Sequence, residues 1–230
     1  MLHTVRVWDL PTRLFHWCLA GCVVGLVVTG NVGGNAMVWH GRLGYAVLAL
    51  LLFRLVWGFV GGHWSRFGSF VVPPSATLAY LRGKPGSGAS VGHNPLGAWS
   101  VLALLLVLLA QVGSGLFADD EIAFSGPLAV LVSGETVSRL TGYHKEVGKL
   151  LLIGLVVLHL GAVAFYRVVR RQHLVRPMIV GDKLLPSPAP PSDDSPRAWA
   201  RAALVLVLCA VAVYAVVALG GSSWLASGAG

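Results

Sequence analysis

The sequence predicts an all-α integral membrane protein, a four-helix transmembrane bundle followed by a fifth, C-terminal transmembrane helix. Three observations carry that prediction: a composition too apolar for water, five runs long enough to span a bilayer, and a lopsided distribution of charge. Hydrophobic residues make up 56% of the 230, and Asp, Glu, Lys and Arg together only 11%. An ordinary soluble domain carries roughly a quarter charged residues. So few charges cannot coat a globule, and lipid must solvate much of the surface. The same composition excludes intrinsic disorder and a collagen-like repeat. Cys18, Cys22 and Cys209 fall inside apolar runs. An odd, buried set is not a disulfide framework, and these are read as small packing residues.

A spanning helix needs about 20 mostly apolar residues. Residues 15–32, 38–60, 97–117, 145–166 and 199–219 meet that requirement. Basic residues precede the first run as in a signal peptide, but it lacks a small-residue cleavage site and further spans follow, so it is read as a true helix. Residues 62–96 form a Gly/Pro-rich loop. Within it, Pro73-Pro74-Ser75 followed by Ala76 to Leu81 predicts a short interfacial helix with a serine N-cap. Residues 118–143, with Asp119, Asp120 and Glu121, are expected to be irregular. Residues 181–197 hold Pro186, Pro188, Pro190, Pro191 and Pro196 among Ser and Asp, the composition of a flexible tether. The expected organisation is a four-helix membrane domain over 1–180, a Pro/Ser-rich linker over 181–198, and a fifth helix with a short tail over 199–230.

Five spans put the termini on opposite sides. The side holding the N-terminus, side A, carries twelve of the seventeen basic residues and four of the nine acidic ones. Side B carries four basic and five acidic residues, and Arg54 lies within a span. Basic residues stay inside, so side A is expected to be cytoplasmic and side B, with the C-terminus, periplasmic, as in a bacterial inner membrane. Topology and anionic membrane lipid account for the basic balance, and nucleic-acid binding is not expected.

Ionisable residues at membrane depth are costly and mark candidate functional positions. His16 lies near the start of span one and His40 opens span two. His144 opens span four, with His159 deep inside it. Following the chain across the bilayer puts His40 and His144 near side B. His159 comes 15 residues after His144, about 22 Å along a helix axis and about 60° away in azimuth. That brings it to the depth of His16 near side A. The result is two histidine pairs, one towards each face. A low-spin b-type haem takes two axial imidazoles, supplied from facing helices, on opposite sides of a flat macrocycle. Two such haems, roughly 20 Å apart, would form an electron path across the membrane. Zinc or copper is the competing occupant, yet no carboxylate or thiolate accompanies the histidines. The sequence has no C-x-x-C-H for covalent attachment.

The glycines admit two readings. Gly21, Gly25 and Gly30, Gly41, Gly44 and Gly58, and Gly113 and Gly115 either make room for a macrocycle or allow close helix packing. Arg54, 14 residues after His40, reaches the depth of His16 and His159. There it either pairs with a haem propionate or snorkels to the interface. His93, in Gly92-His93-Asn94-Pro95, could be a ligand, line a quinone pocket or cap span three. His3, His63 and His173 are expected to be solvated.

Four stretches then carry a resemblance. They are Val7-Trp8-Asp9-Leu10-Pro11-Thr12-Arg13-Leu14-Phe15-His16-Trp17, Trp39-His40-Gly41-Arg42-Leu43-Gly44, Gly92-His93-Asn94-Pro95-Leu96-Gly97, and Tyr143-His144-Lys145-Glu146 continuing to His159. Over residues 5–183 the chain resembles the prokaryotic cytochrome b561 and Ni,Fe-hydrogenase b-type cytochrome family. The resemblance implies a four-helix bundle holding two b haems on His16, His40, His144 and His159. It also implies electron transfer between membrane quinone and a redox partner such as a hydrogenase or a periplasmic cytochrome c. Arg13, His93 and Asn94 are the positional candidates for quinone. Residues 184–230 depart from the minimal four-helix pattern. Asp119, Asp120, Glu121 and Glu135 on side B would suit a basic docking face. Such a subunit serves an oxidoreductase complex without making bonds itself. The alternatives are a self-contained superoxide:quinone oxidoreductase and a haem-free metal-handling membrane protein.

Overall fold

The computed structural model describes residues 1–84, 91–122 and 124–227, with side chains as far as 220. It is helical nearly throughout. The elements in order are β1 (His3–Arg6), α1 (Leu10–Val32), α2 (Ala36–Val60), α3 (Phe67–Phe70), α4 (Pro74–Leu81), α5 (Pro95–Gly115), α6 (Gly134–Gly142), α7 (Lys149–Val168), α8 (Val175–Val180), β2 (Asp182–Leu185) and α9 (Pro196–Ser227). A π-helical segment, Tyr143–Gly148, joins α6 to α7. Five helices are long and apolar enough to cross a membrane: Leu10–Val32, Ala36–Val60, Pro95–Gly115, Gly134–Val168 and Pro196–Gly220. Their outer surface carries exposed Leu106, Val157, Leu158, Leu206 and Leu208, as lipid solvation requires. The all-α membrane fold expected from the sequence is the fold observed.

Helix starts extend beyond the apolar runs because polar caps, not apolar residues, set them. Asp9 caps α1, its Oδ1 accepting from the Thr12 amide at 2.7 Å. Asn94 caps α5 through the Gly97 amide at 2.7 Å, and Ser195 caps α9 through the Ala198 amide at 3.3 Å. In both of the latter, proline follows the cap at the first helical position, where its missing N–H costs nothing. The same logic corrects the expectation for α4. Pro73 is its cap residue and Pro74 its first residue, so Ser75 lies inside the helix and does not cap it.

The chain divides into two compact units. The first comprises Met1–His16, Arg54–Leu104 and Leu155–Val205. At its heart β1 and β2 pair antiparallel, with Val5 opposite Lys183 and Arg6 opposite Asp182. Val5, Val7, Trp8 and Leu185 form a buried apolar cluster, packed by Trp64, Val91, Met178 and Ala189. Gly181 makes the corner into β2 at φ 91°. Its carbonyl accepts from the Val7 and Trp8 amides at 2.9 and 3.0 Å, and a Cβ would stand 2.8 Å from the Trp8 oxygen.

The supposed tether therefore behaves differently from its composition. Residues 182–185 are the strand β2, and buried Ser192 donates to the Val7 carbonyl at 2.7 Å while its amide donates to the Arg6 carbonyl. Asp194 pairs with Arg6 at 2.5 Å and accepts from the Leu10 amide at 2.8 Å. Proline removes donors from this segment, and the N-terminal strand supplies partners for the donors and acceptors that remain.

The second unit comprises Trp17–Phe53, Leu105–Gly154 and the chain from Leu206. Its loop 118–143, expected to be irregular, contains a turn of 3₁₀ helix at Ala129–Leu131 and the helix α6. Ser133 caps α6 through the Thr136 amide at 3.3 Å, and Glu135 pairs with Arg139 at 2.6 Å. Asp120 accepts from the Ile122 and Phe124 amides, and the Phe124 ring lies where a Cβ on Gly41 would stand.

Candidate functional site

Each unit contains one of the histidine pairs. In the first, His16 of α1 and His159 of α7 face each other with ring centroids 6.5 Å apart and planes inclined at 51°. In the second, His40 of α2 and His144 of the π segment lie 6.1 Å apart at 82°. Two metal–imidazole bonds of about 2 Å each, with the reach from each nitrogen to its ring centre, span roughly 6 Å. Both separations thus fit two imidazoles on opposite sides of one metal.

The second pair is also oriented for that use. His40 Nδ1 lies 3.1 Å from the Leu26 carbonyl oxygen and 3.2 Å from the Thr29 hydroxyl. His144 Nδ1 lies 2.8 Å from the Gln111 carbonyl oxygen. A carbonyl only accepts, so Nδ1 carries the proton in both rings and Nε2 keeps its lone pair for a metal. Glycines make these approaches possible. A Cβ on Gly30 would stand 3.0 Å from His40 Cε1, and one on Gly115 would stand 2.9 Å from His144 Cε1. A Cβ on Gly21, Gly44 or Gly113 would meet no heavy atom within 4 Å, so these glycines are not pressed against a neighbouring helix.

Arg54 is buried in the first unit, its guanidinium over the Phe67 ring at 4.8 Å and the Phe70 ring at 5.9 Å. Its Nη1 is buried without a hydrogen-bond partner among the described residues. The buried Asp9 carboxylate acts on the guanidinium electrostatically, and the unfilled Nη1 donor suits a further anion. The guanidinium is packed against aromatic rings of the first unit and is not exposed.

Among the described residues no cluster of three or more His, Cys, Asp or Glu gathers as a closed metal site would. Two facing imidazoles would suit a macrocycle that brings its own four nitrogen donors, and the Arg54 nitrogen would suit that macrocycle's carboxylates. The residues present fit haem.

The candidates for quinone are employed separately. Arg13 Nη1 donates to the Ile179 carbonyl at 2.7 Å, and Nη2 lies 3.6 Å from Asp194. Asn94 caps α5, and the Tyr166 hydroxyl meets that of Tyr80 at 2.7 Å. The His93 ring stands 4.8 Å from Trp8 and 4.6 Å from Phe70. Burial first, then the charges of Arg54 and Lys183, push its pKa down to about 3, so it is neutral at physiological pH. His3 and His173 are exposed as expected, whereas His63 is half-buried against Trp64 at 4.6 Å.

Two polar residues escaped the sequence reading. Asp9, fully buried, accepts from the Thr12 amide, Ser65 Oγ (2.7 Å), the Gly62 amide (3.1 Å) and Trp57 Nε1 (3.3 Å). Gln111 engages His144 twice, since its Nε2 also donates to the His144 carbonyl at 2.9 Å. An amide inside an apolar span was the signal for Gln111. Asp9 stands in the first of the resembling stretches, but it precedes the apolar run and was given no role of its own.

Comparison with known proteins agrees with this architecture. The family model described as prokaryotic cytochrome b561 matches residues 7–181. Among curated relatives, a probable Ni/Fe-hydrogenase B-type cytochrome subunit of Bradyrhizobium diazoefficiens is 25% identical, over 78% of this chain and 86% of its own. A protein of the same description from Azotobacter chroococcum is 27% identical, over 84% and 91%. A probable Ni/Fe-hydrogenase 1 B-type cytochrome subunit of Escherichia coli K12 is 26% identical, over 55% and 66%. No solved structure matches significantly. With three quarters of its length matched by the family model and five spanning helices, the chain belongs to the prokaryotic cytochrome b561 family and is a multi-pass membrane b-type cytochrome of electron transfer.

Proposed function

We propose that the chain holds two b haems and carries electrons across the bilayer between the quinone pool and a redox partner. The observation that carries this reading is the pair of facing histidine couples, His16 with His159 and His40 with His144, at 6.5 and 6.1 Å. Haem b supplies a one-electron Fe(III)/Fe(II) couple. The chain does the rest. The Leu26 and Gln111 carbonyls fix the tautomers of His40 and His144. Arg54 would pair with a propionate of a haem held by His16 and His159, and the apolar spans would exclude water around both haems. The protein so tunes potential by burial, ligand orientation and charge, and leaves bond-making to its complex.

Quinone is the lipid-soluble partner in this reading. Arg13, His93 and Asn94, in the same unit as His16 and His159, are the residues proposed to meet it. The partner at the other face is a hydrogenase, the assembly named for the relatives above, with a periplasmic cytochrome c as the other member of the same class. The charge asymmetry supports a cytoplasmic N-terminus and a periplasmic C-terminus in a bacterial inner membrane.

A pyridine haemochromogen assay on the purified chain, followed by addition of a reduced quinol, tests the proposal. Two b haems per chain, both reduced by quinol, are expected. One haem per chain, or two that no quinol reduces, would contradict it.

A further inference from the structure

The basic run at the C-terminal end of α7 and beyond it exceeds its ion pairs. Arg167, Arg170, Arg171, His173 and Arg176 fall within ten residues, and no acidic residue occurs between Glu146 and Asp182. All four arginines are exposed, and none pairs with a carboxylate among the described residues. At a membrane surface, positive charge of this density attracts an anion from outside the chain.

Two of these arginines and His173 line a groove of about 290 Å³ contained in the first unit. One wall is Leu160, Val163, Ala164 and Arg167. These stand at i, i+3, i+4 and i+7, a single stripe of α7 two turns long, or about 10 Å. The stripe is apolar along its length and cationic at its end, where the helix stops at Val168. The other wall sets Val175 beside His173 and Arg176. Hydrocarbon then phosphate is the order of chemistry along a phospholipid. A guanidinium at the end of a spanning helix, lacking a protein carboxylate, takes a phosphate oxygen as its partner.

We propose that this groove binds one anionic phospholipid. Arg167 and Arg176 hold its phosphodiester, and one acyl chain lies along Leu160, Val163 and Ala164. A zwitterionic headgroup carries its own cation and leaves the two guanidiniums uncompensated, which selects a lipid of net negative charge.

Native mass spectrometry of the full chain, purified with its haem in mild detergent, counts lipid adducts during titration with phosphatidylglycerol or phosphatidylcholine. One phosphatidylglycerol is expected to bind at concentrations where phosphatidylcholine does not. The R167Q/R176Q variant should weaken it about thirtyfold, at about fivefold per guanidinium near a membrane surface. The R66Q/R82Q variant removes two exposed arginines elsewhere and should bind as the wild type does. Should R167Q/R176Q not fold, R176Q alone is expected to weaken binding several-fold. Equal retention of the two lipids would overturn the proposal, as would equal loss in R66Q/R82Q. Displacement by millimolar inorganic phosphate would also overturn it, by making the site one for a free anion.

Discussion

Gln111 holds His144 from two directions, its carbonyl oxygen accepting from Nδ1 and its side-chain Nε2 donating to the His144 carbonyl. His144 stands in the π-helical segment Tyr143–Gly148, where the chain departs from α geometry. Gln111→Leu keeps the backbone contact and removes the amide, at a cost of roughly 1 kcal/mol in stability. It should shift the midpoint potential of the haem on His40 and His144 more than that of the other haem. Arg54→Leu should do the reverse, since the buried guanidinium belongs to the unit of His16 and His159. Redox titration followed by haem spectra checks both variants, and equal shifts of the two haems in either would contradict the assignment. At this scale the histidines were legible because each interrupts an apolar run. Their partners were harder to read: Leu26 acts through a backbone oxygen that no sequence pattern marks, and Gln111, though marked as an amide inside a span, acts partly through its backbone oxygen as well.

Elements were legible in proportion to the lipid they face. All five spans stand where the apolar runs put them, because about 20 apolar residues have few other solutions in a chain so poor in charge. Connections read less well. The π segment lies inside a run counted as regular helix, so the azimuth estimated between His144 and His159 at 100° per residue omitted it. Residues 181–197 read as a tether because proline and serine dominate locally, whereas their order comes from a strand nearly 180 residues away. That clamp has a pH signature. Burial raises the Asp194 pKa, but hydrogen bonds from Trp199, the Leu10 amide and Arg6 outweigh it and hold the group below its ordinary value. A depressed carboxylate pKa contributes stability above the unfolded value, near pH 3.9, and loses it as pH falls towards the folded value. Limited proteolysis of residues 186–195 should therefore accelerate below about pH 4 in the wild type. Asp194→Asn should be cleaved faster at neutral pH and change less with acid; an unchanged profile would contradict the clamp.

For the whole molecule, family membership and the paired histidines come from different sources. The family model rests on residues 7–181, while the pairing rests on side-chain geometry. Haem content in the four single variants His16→Ala, His159→Ala, His40→Ala and His144→Ala tests their agreement most directly. The pairing predicts that each variant retains one haem of two. Spectra and potentials should match between His16→Ala and His159→Ala, and separately between His40→Ala and His144→Ala. If His16→Ala and His40→Ala removed the same haem, the pairing described here would be wrong.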